Sequence, residues 1–192
     1  MRLLLIRHGR TAANEKRLYC GATDLPLSEN GRAELLTVKR RGILPAPDGF
    51  RAVTSGMKRC EETLMLLYGP LPHEQLPGLR EMNFGAFEMR SYEELKDTPD
   101  YQAWISGDNE QNLTPGGESG VQMAARVKKT FDALLADRQD LLLVAHGGVI
   151  ALILSWLFPE IPKNRYEWQP QPGGAVLCTL PEGGCASYRF LK

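Results

Sequence analysis

Of the three histidines in this chain, two follow short apolar runs and precede glycine: His8 in Leu5-Ile6-Arg7-His8-Gly9, and His146 in Val144-Ala145-His146-Gly147-Gly148. Arg7 stands beside the first. Arg59 follows a third apolar run, Arg51 to Thr54, at a spacing from Ser55 that places it in the first turn of a helix. In open α/β sheets, ligands bind beyond the carboxyl ends of the strands. If these runs are strands, two imidazoles and two guanidinium groups gather in one place. Such a set suits a dianion. The arginine fork matches phosphate oxygens. The helix start after His146 adds amide N–H groups, and Gly147 and Gly148 let a ligand come close. A neutral imidazole is a nucleophile toward phosphorus, and phosphoryl transfer needs chiefly positioning and charge stabilisation. An Arg-His-Gly tripeptide, a histidine after a buried strand or an arginine on a helix each has an ordinary structural explanation. The joint placement at three strand ends carries the functional reading.

Transfer to water also needs a proton for the leaving oxygen, from a carboxylic acid or histidine beside the pocket. Glu81, in Leu79-Arg80-Glu81-Met82-Asn83-Phe84-Gly85, is the best candidate, with apolar neighbours that suit a carboxyl group able to hold a proton. A surface glutamate paired with Arg80 is the alternative, and spacing does not decide between them. Other phosphate chemistries lack their residues. There is no G-x-x-x-x-G-K-[ST] run, no cysteine followed six positions later by arginine, and no H-E-x-x-H or clustered His/Asp set for a metal. Gly117-Glu118-Ser119-Gly120 approaches a nucleophile elbow, but its last glycine is displaced and no strand precedes it. The expected catalyst uses no metal.

The elements that must position these groups follow from the apolar pattern. Arg2 to Arg7, Arg51 to Thr54 and Asp140 to Ala145 read as strands covered on both faces, as in a parallel sheet. Ser28 caps a helix from Glu29 to Arg41 that stops at Gly42, with Lys39, Arg40 and Arg41 in its last turn. Ser55 can cap a helix from about Gly56 to Tyr68, stopped by Gly69-Pro70. A strand near Glu74 to Leu76 follows. Ser91 with Glu94 opens a short helix, and Thr98-Pro99 another that ends at Gly107. Asp108 to Gly117 is a polar loop. Ser119 with Gln122 opens a helix with Ala124, Val127, Phe131, Leu134 and Leu135 on one face. Gly148 to Phe158 is an apolar helix, and Ala175 to Leu180 and Cys185 to Leu191 flank Pro181-Glu182-Gly183-Gly184 as a hairpin. Strands alternating with helices imply an α/β fold with a mostly parallel sheet.

The chain has 192 residues, 43% hydrophobic and 24% charged. These values suit one globular domain, residues 1–192, with a small helical insertion at about 80–118. Lys plus Arg and Asp plus Glu number 23 each. That balance argues against a nucleic-acid binder and against a polybasic membrane-surface protein. The neutrality is uneven: residues 1–41 hold nine cations and four anions, residues 80–118 three cations and nine anions. Since Glu81 opens the acidic segment, Asp108, Glu110 and Glu118 become candidates for the rim of the pocket, disfavouring further negative charge on a substrate. Arg10, Lys16 and Arg17 could instead clamp a second anion. The balance favours a monophosphate with a neutral remainder. The four cysteines form no CxxC, the expectation being a reduced, cytoplasmic chain. Leu3 to Ile6 is too short for a signal peptide. Leu141 to Phe158 is interrupted by His146-Gly147-Gly148 and reads as strand then helix, not as a membrane span.

Leu5-Ile6-Arg7-His8-Gly9-Arg10-Thr11, with Asn14 beyond it, resembles the signature of the histidine phosphatase superfamily, in the branch that includes cofactor-dependent phosphoglycerate mutases and α-ribazole phosphatases. The likeness continues through Gly21 to Gly31, Thr54-Ser55 to Arg59 and Thr63, Leu79 to Gly85 and Pro115 to Ser119, and closes at Val144 to Gly148. The resemblance implies a three-layer α/β/α sandwich. It implies that His8 becomes phosphohistidine and that Arg7, Arg59 and His146 bind the phosphoryl oxygens, with Asn14, Gly21 and the Gly147 amide assisting. Glu81 would protonate the leaving group and then help activate water. No metal and no cofactor are implied, and the partner is a small phosphorylated metabolite, with the chain a monomer or homodimer. Arg10 departs from the acidic or amide residue common there, Ala13 stands where Trp is frequent, and Glu88-Met89 where Glu-Gly is frequent. The short chain and compact insertion look more like a phosphatase, similar to α-ribazole phosphatase, than a mutase. Phosphoglycerate mutase is the alternative within the family, and a noncatalytic phosphate-binding module the alternative outside it.

Overall fold

A computed structural model describes residues 1–108, 110–183 and 185–191 of the chain. Its strands are β1 (Arg2–Arg7), β2 (Arg51–Thr54), β3 (Glu74–Gln75), β4 (Leu141–Ala145), β5 (Ala175–Thr179) and β6 (Ser187–Leu191). They form one sheet in the order β3-β2-β4-β1-β5-β6. The first four in that order run parallel, and β5 and β6 are antiparallel additions at one edge. The helices are α1 (Ala12–Glu15), α2 (Glu29–Arg41), α3 (Lys58–Tyr68), α4 (Tyr92–Leu95), α5 (Pro99–Ile105), α6 (Gly120–Ala136), α7 (Gly147–Leu157) and α8 (Arg165–Trp168).

Side chains alternate across a strand, and here they feed two cores. Leu3, Leu5, Leu141, Leu143 and Val176 pack with Val127 and Phe131 of α6 and Ile150 and Leu154 of α7. Leu4, Ile6, Leu142 and Val144 pack on the other face with Leu35 of α2 and Cys60 and Leu64 of α3. The result is the three-layer α/β/α sandwich with a mostly parallel sheet. It explains why β1 and β4 are continuous apolar runs without polar alternation.

The capping residues behave as expected at Ser28, whose hydroxyl accepts from the Gly31 amide, and at the Ser91/Glu94 and Ser119/Gln122 capping boxes. Ser119 is thus a helix cap and no nucleophile elbow. Ser55 departs from expectation. The helix begins later, at Lys58, Met57 occupies the cap position without a side-chain hydrogen bond, and the Ser55 hydroxyl is engaged by His146 instead. On α6, Met123 is buried where Ala124 and Leu135 are only partly so, because the apolar stripe runs Met123-Val127-Phe131-Leu134. The hairpin joins β5 and β6 as expected, and Gly184 lies outside the described residues. Between residues 80 and 118, Phe84, Phe87, Leu95, Tyr101 and Trp104 build a small aromatic core against Tyr19. Beside it, Tyr19 hydrogen-bonds Met89 and Arg90 through its backbone.

Candidate active site

The register of the sheet brings the chemistry together. Arg7 pairs with Ala145, and Thr54 with Val144, across the adjacent strands β1, β4 and β2. The next residues, His8, His146 and Ser55, therefore leave the sheet side by side at its carboxyl edge. The His8 amide donates to the Ala145 carbonyl at 3.0 Å, and the two imidazoles meet edge-on with centroids 5.2 Å apart. His8 Nδ1 lies 2.7 Å from the Gly9 carbonyl oxygen. A carbonyl only accepts, so Nδ1 carries the proton and Nε2 keeps its lone pair. His8 is 6% exposed. Burial, reinforced by the charge of Arg59, pushes its pKa down to about 3. Thr63 fixes the following residue: its hydroxyl accepts from the Gly9 amide at 3.0 Å and donates to the Arg59 carbonyl at 2.6 Å.

Arg59 is buried and fully oriented. Its Nη1 and Nη2 donate to the carbonyls of Thr23 at 2.9 Å and Gly21 at 2.8 Å, and its Nε to His146 Nδ1 at 3.3 Å. His146 therefore accepts at Nδ1 and donates from Nε2 to Ser55 Oγ, 2.8 Å away. Burial and then Arg59 hold its pKa well below the usual histidine value, so it is neutral. Arg7 donates to the Pro170 carbonyl at 3.0 Å, while its buried Nε has no partner. Asn14 accepts from Thr11 in a capping box at α1 and lines the cavity in front of Arg7. Gly147 is the first residue of α7. Gly21 meets the site through Arg59 and not as part of the cavity wall.

Glu81 joins this group from the segment that leaves the carboxyl end of β3, just beyond a helical turn at Pro77–Leu79. One carboxylate oxygen accepts from the Gly148 amide at 2.9 Å and the other from Met82 at 3.0 Å. A side chain at position 148 would collide with it, since a Cβ there lies 2.4 Å from Glu81 Oε1. The carboxyl group thus rests on two amides rather than among apolar side chains. Arg80 is directed elsewhere, toward the Ser55 carbonyl. Sequence reasoning missed Arg126 on α6. It donates to the carbonyls of Gly78 (3.1 Å), Arg80 (2.6 Å) and Glu81 (2.9 Å), and its Nε to Glu118 at 3.0 Å. That clamp sets the path of the chain that carries Glu81.

Beside this group lies a cavity of about 550 Å³, which Arg7, Asn14, Glu81 and Gly148 line while the buried His8, Arg59 and His146 sit behind its wall. Arg7, Asn14, Glu81 and Gly148 form its reactive end, Tyr19, Phe84, Trp104 and Met123 an apolar wall, and Glu110, Arg165 and Tyr166 also line it. Of the expected acidic rim, only Glu110 lies here. Glu118 is bound to Arg126 and to the Asn83 amide, and Asp108 accepts from the Glu110 amide. Arg10 is drawn away to Glu34, beside a separate shallow depression, and Lys16 and Arg17 do not line the cavity. Among the described residues, no group of three or more His, Cys, Asp or Glu is placed to hold a metal ion, and no helix is long and apolar enough to cross a membrane.

A sequence model of the histidine phosphatase superfamily (branch 1) matches residues 3–190. The chain belongs to that family. An adenosylcobalamin/α-ribazole phosphatase of Salmonella typhimurium is 36% identical over 190 residues, covering 95% of this chain and 92% of the relative. The crystal structure of the α-ribazole phosphatase from Shigella flexneri superposes with a TM-score of 0.85 at 29% identity, covering 100% of this chain and 96% of that one. A phosphoglycerate mutase from Thermus thermophilus gives 0.75 at 30% identity, covering 100% and 99%. The stronger likeness is to the phosphatase, and the chain is a phosphatase of the histidine phosphatase superfamily.

Within that family the Glu88-Met89 departure has a local structural cost. The Glu88 carboxylate accepts from the amides of Gly21, Ala22, Thr23 and Phe84 and from the Thr23 hydroxyl, binding the loop that supports Arg59 to the segment that follows Glu81. Met89 is then forced to φ +61°. Glycine adopts this left-handed conformation freely and a methionine does not.

Proposed function

We propose that the chain acts as one catalytic domain that hydrolyses a small phosphomonoester through a phosphohistidine on His8. What supports this reading above all is the buried, neutral His8. Its Nδ1 is tied to the Gly9 carbonyl, leaving Nε2 free to attack, beside two guanidinium groups. In the first step His8 Nε2 bonds to phosphorus as the P–O bond breaks, and Glu81 gives its proton to the leaving oxygen. In the second, water attacks the phosphohistidine, Glu81 takes the proton, the P–N bond breaks and phosphate departs. Arg7 and Arg59 neutralise the charge on the equatorial oxygens, with Asn14 as a further donor. Neutral His146 holds Arg59 in place. These groups supply the cationic field, so turnover continues in EDTA, and orthovanadate inhibits as a mimic of five-coordinate phosphorus.

An α-ribazole phosphate is the first substrate to test. Relatives named for it match across the chain, and the wall of Tyr19, Phe84 and Trp104 offers flat apolar surface to a ring-bearing remainder. The decisive experiment uses p-nitrophenyl phosphate with wild type and His8→Ala. Wild type should release phosphate and, on quenching, carry acid-labile phosphate. The variant should lose activity by several orders of magnitude and carry none. Near-normal turnover by the variant overturns the mechanism. Interconversion of phosphoglycerates without phosphate release would assign the site to a mutase.

A further inference from the structure

The lining of the cavity also carries one ion pair. Arg165, in the first turn of α8, donates from Nη2 to Glu110 Oε2 at 2.7 Å, with side-chain exposures of 29% and 46%. An isolated surface pair of this kind contributes little to stability, so its placement is the informative feature. Both side chains line the cavity that holds Arg7 and Glu81.

Both partners are also held from behind. The Glu110 carbonyl accepts from the Val121 amide at 3.0 Å, and its amide faces Asp108 Oδ1 at 3.3 Å. Its carboxylate lies flat on Gly120, where a Cβ would come within 1.9 Å of Oε2. This is the start of the 17-residue α6, whose N-terminal dipole favours an anion. Arg165 is anchored by its neighbours. The Asn164 side chain caps α8, and Lys163 sits over the ring of Trp168 at 4.6 Å while donating to the Tyr188 hydroxyl at 2.9 Å. Two separate supports thus bring one anion and one cation into contact in the cavity lining.

We propose that Glu110 and Arg165 are the specificity determinants of the site, selecting phosphomonoesters whose remainder carries no second negative charge. This rests on the phosphatase reading above. Alone, Arg165 would bind a carboxylate or second phosphate on the far end of a substrate. Paired with a fixed Glu110 it is neutralised, and an incoming anion meets the carboxylate as well. A neutral remainder keeps the pair intact and hydrogen-bonds to its polar edges. Glu110 thereby turns a basic position into a filter against bisphosphates and phosphorylated acids.

The test compares phenyl phosphate with 4-carboxyphenyl phosphate, which differ by one distal carboxylate. Wild type should favour phenyl phosphate in kcat/KM by about tenfold at low salt, and the preference should shrink at high salt. Glu110→Gln should narrow or reverse it at least fivefold by releasing Arg165, and Arg165→Met should widen it. Equal preferences in all three proteins overturn the proposal. The same comparison is made by calorimetry with phenylphosphonate and 4-carboxyphenylphosphonate, which need no turnover. If the dissociation constants follow the pattern while His8 forms no phosphoenzyme, the catalytic reading fails and the filter stands. If phosphoenzyme forms and the constants do not change with Glu110 and Arg165, the filter fails alone. Matching circular dichroism and melting temperatures identify any variant that fails to fold, and Glu110→Ala then replaces Glu110→Gln.

Discussion

Replacing Glu81 with glutamine separates two effects by size. The carboxylate accepts from the amides of Gly148 at 2.9 Å and Met82 at 3.0 Å. Glutamine keeps the shape and one carbonyl oxygen, but its NH₂ group must face the other amide, donor to donor. The lost hydrogen bond costs about 1–1.5 kcal/mol, or about tenfold, and falls on every substrate alike. The lost proton transfer is worth about 10²–10⁴-fold and falls only on leaving groups that need protonation. An alkyl phosphate such as glycerol 3-phosphate should therefore lose about 10³–10⁵-fold in kcat/KM. p-Nitrophenyl phosphate, whose phenolate leaves unprotonated, should lose about tenfold. The ratio kcat/KM reports steps up to departure of the leaving group. The second task of Glu81, activating water, appears separately as phosphohistidine accumulating in the variant during turnover of p-nitrophenyl phosphate. Equal losses on the two substrates would refute the assignment of Glu81 as the acid and leave it a positional role.

Three further outcomes follow from the same contacts. His8 is neutral in the folded protein, its pKa pushed down to about 3 by burial, whereas in the unfolded chain it titrates near 6.5. Its contribution to stability is therefore complete above pH 6.5 and lost as pH falls toward 3, by up to about 1.4 kcal/mol per pH unit; urea unfolding should show this slope, and His8→Asn should remove that part while the slope of the equally buried, neutral His146 stays. Met89→Gly relieves the φ of +61°. Against the greater freedom of glycine in the unfolded chain, the net gain should be about 0.5–1 kcal/mol, read as a rise in Tm, and a fall would refute the strain argument. Arg126→Met removes the clamp on the carbonyls of Gly78, Arg80 and Glu81 and leaves Glu118 with the Asn83 amide but no cation. Stability should fall by about 2–3 kcal/mol, and hydrolysis of alkyl phosphates should fall more than that of p-nitrophenyl phosphate, because Glu81 is what moves; a uniform loss on both would make Arg126 purely structural.

The parts of this site that could be read from the chain are those tied to strand ends. β1, β2 and β4 are apolar runs because they are covered on both faces, and the rule that ligands sit beyond their carboxyl ends leads to His8, Arg59 and His146 without any knowledge of contacts. Glu81 follows only β3, a two-residue exposed strand with no apolar run to announce its end. Its candidacy came from its neighbours and from the family likeness, and its actual partners are amides at residues 82 and 148. The supporting residues were less legible still. Glu88 meets Ala22 across a separation of 66 residues, Arg126 meets Glu81 across 45, and Arg165 meets Glu110 across 55. None of these pairs has a period, a cap or a turn to announce it, because such contacts are set by how residues 80–118 and the loops fold over the sheet. The charge count for residues 80–118 pointed to an acidic rim, yet only Glu110 occupies it, since charge along a sequence carries no information about which side chains are consumed by structural partners.

Ser55 meets two sequence rules at once. Its position after a strand and before a helix satisfies the capping rule. It satisfies the strand-end rule equally. The register that pairs Thr54 with Val144 sends residues 55 and 146 off adjacent strands together, and a hydroxyl at one and an imidazole at the other fall within hydrogen-bond reach. The capping role is worth about 1 kcal/mol and can be supplied by other means. A buried histidine nitrogen left without a partner costs about 1–3 kcal/mol. Where a polar residue could satisfy either a helix end near solvent or a buried imidazole at the same sheet edge, the buried group has the greater need, and the helix start shifts to Lys58 to allow it.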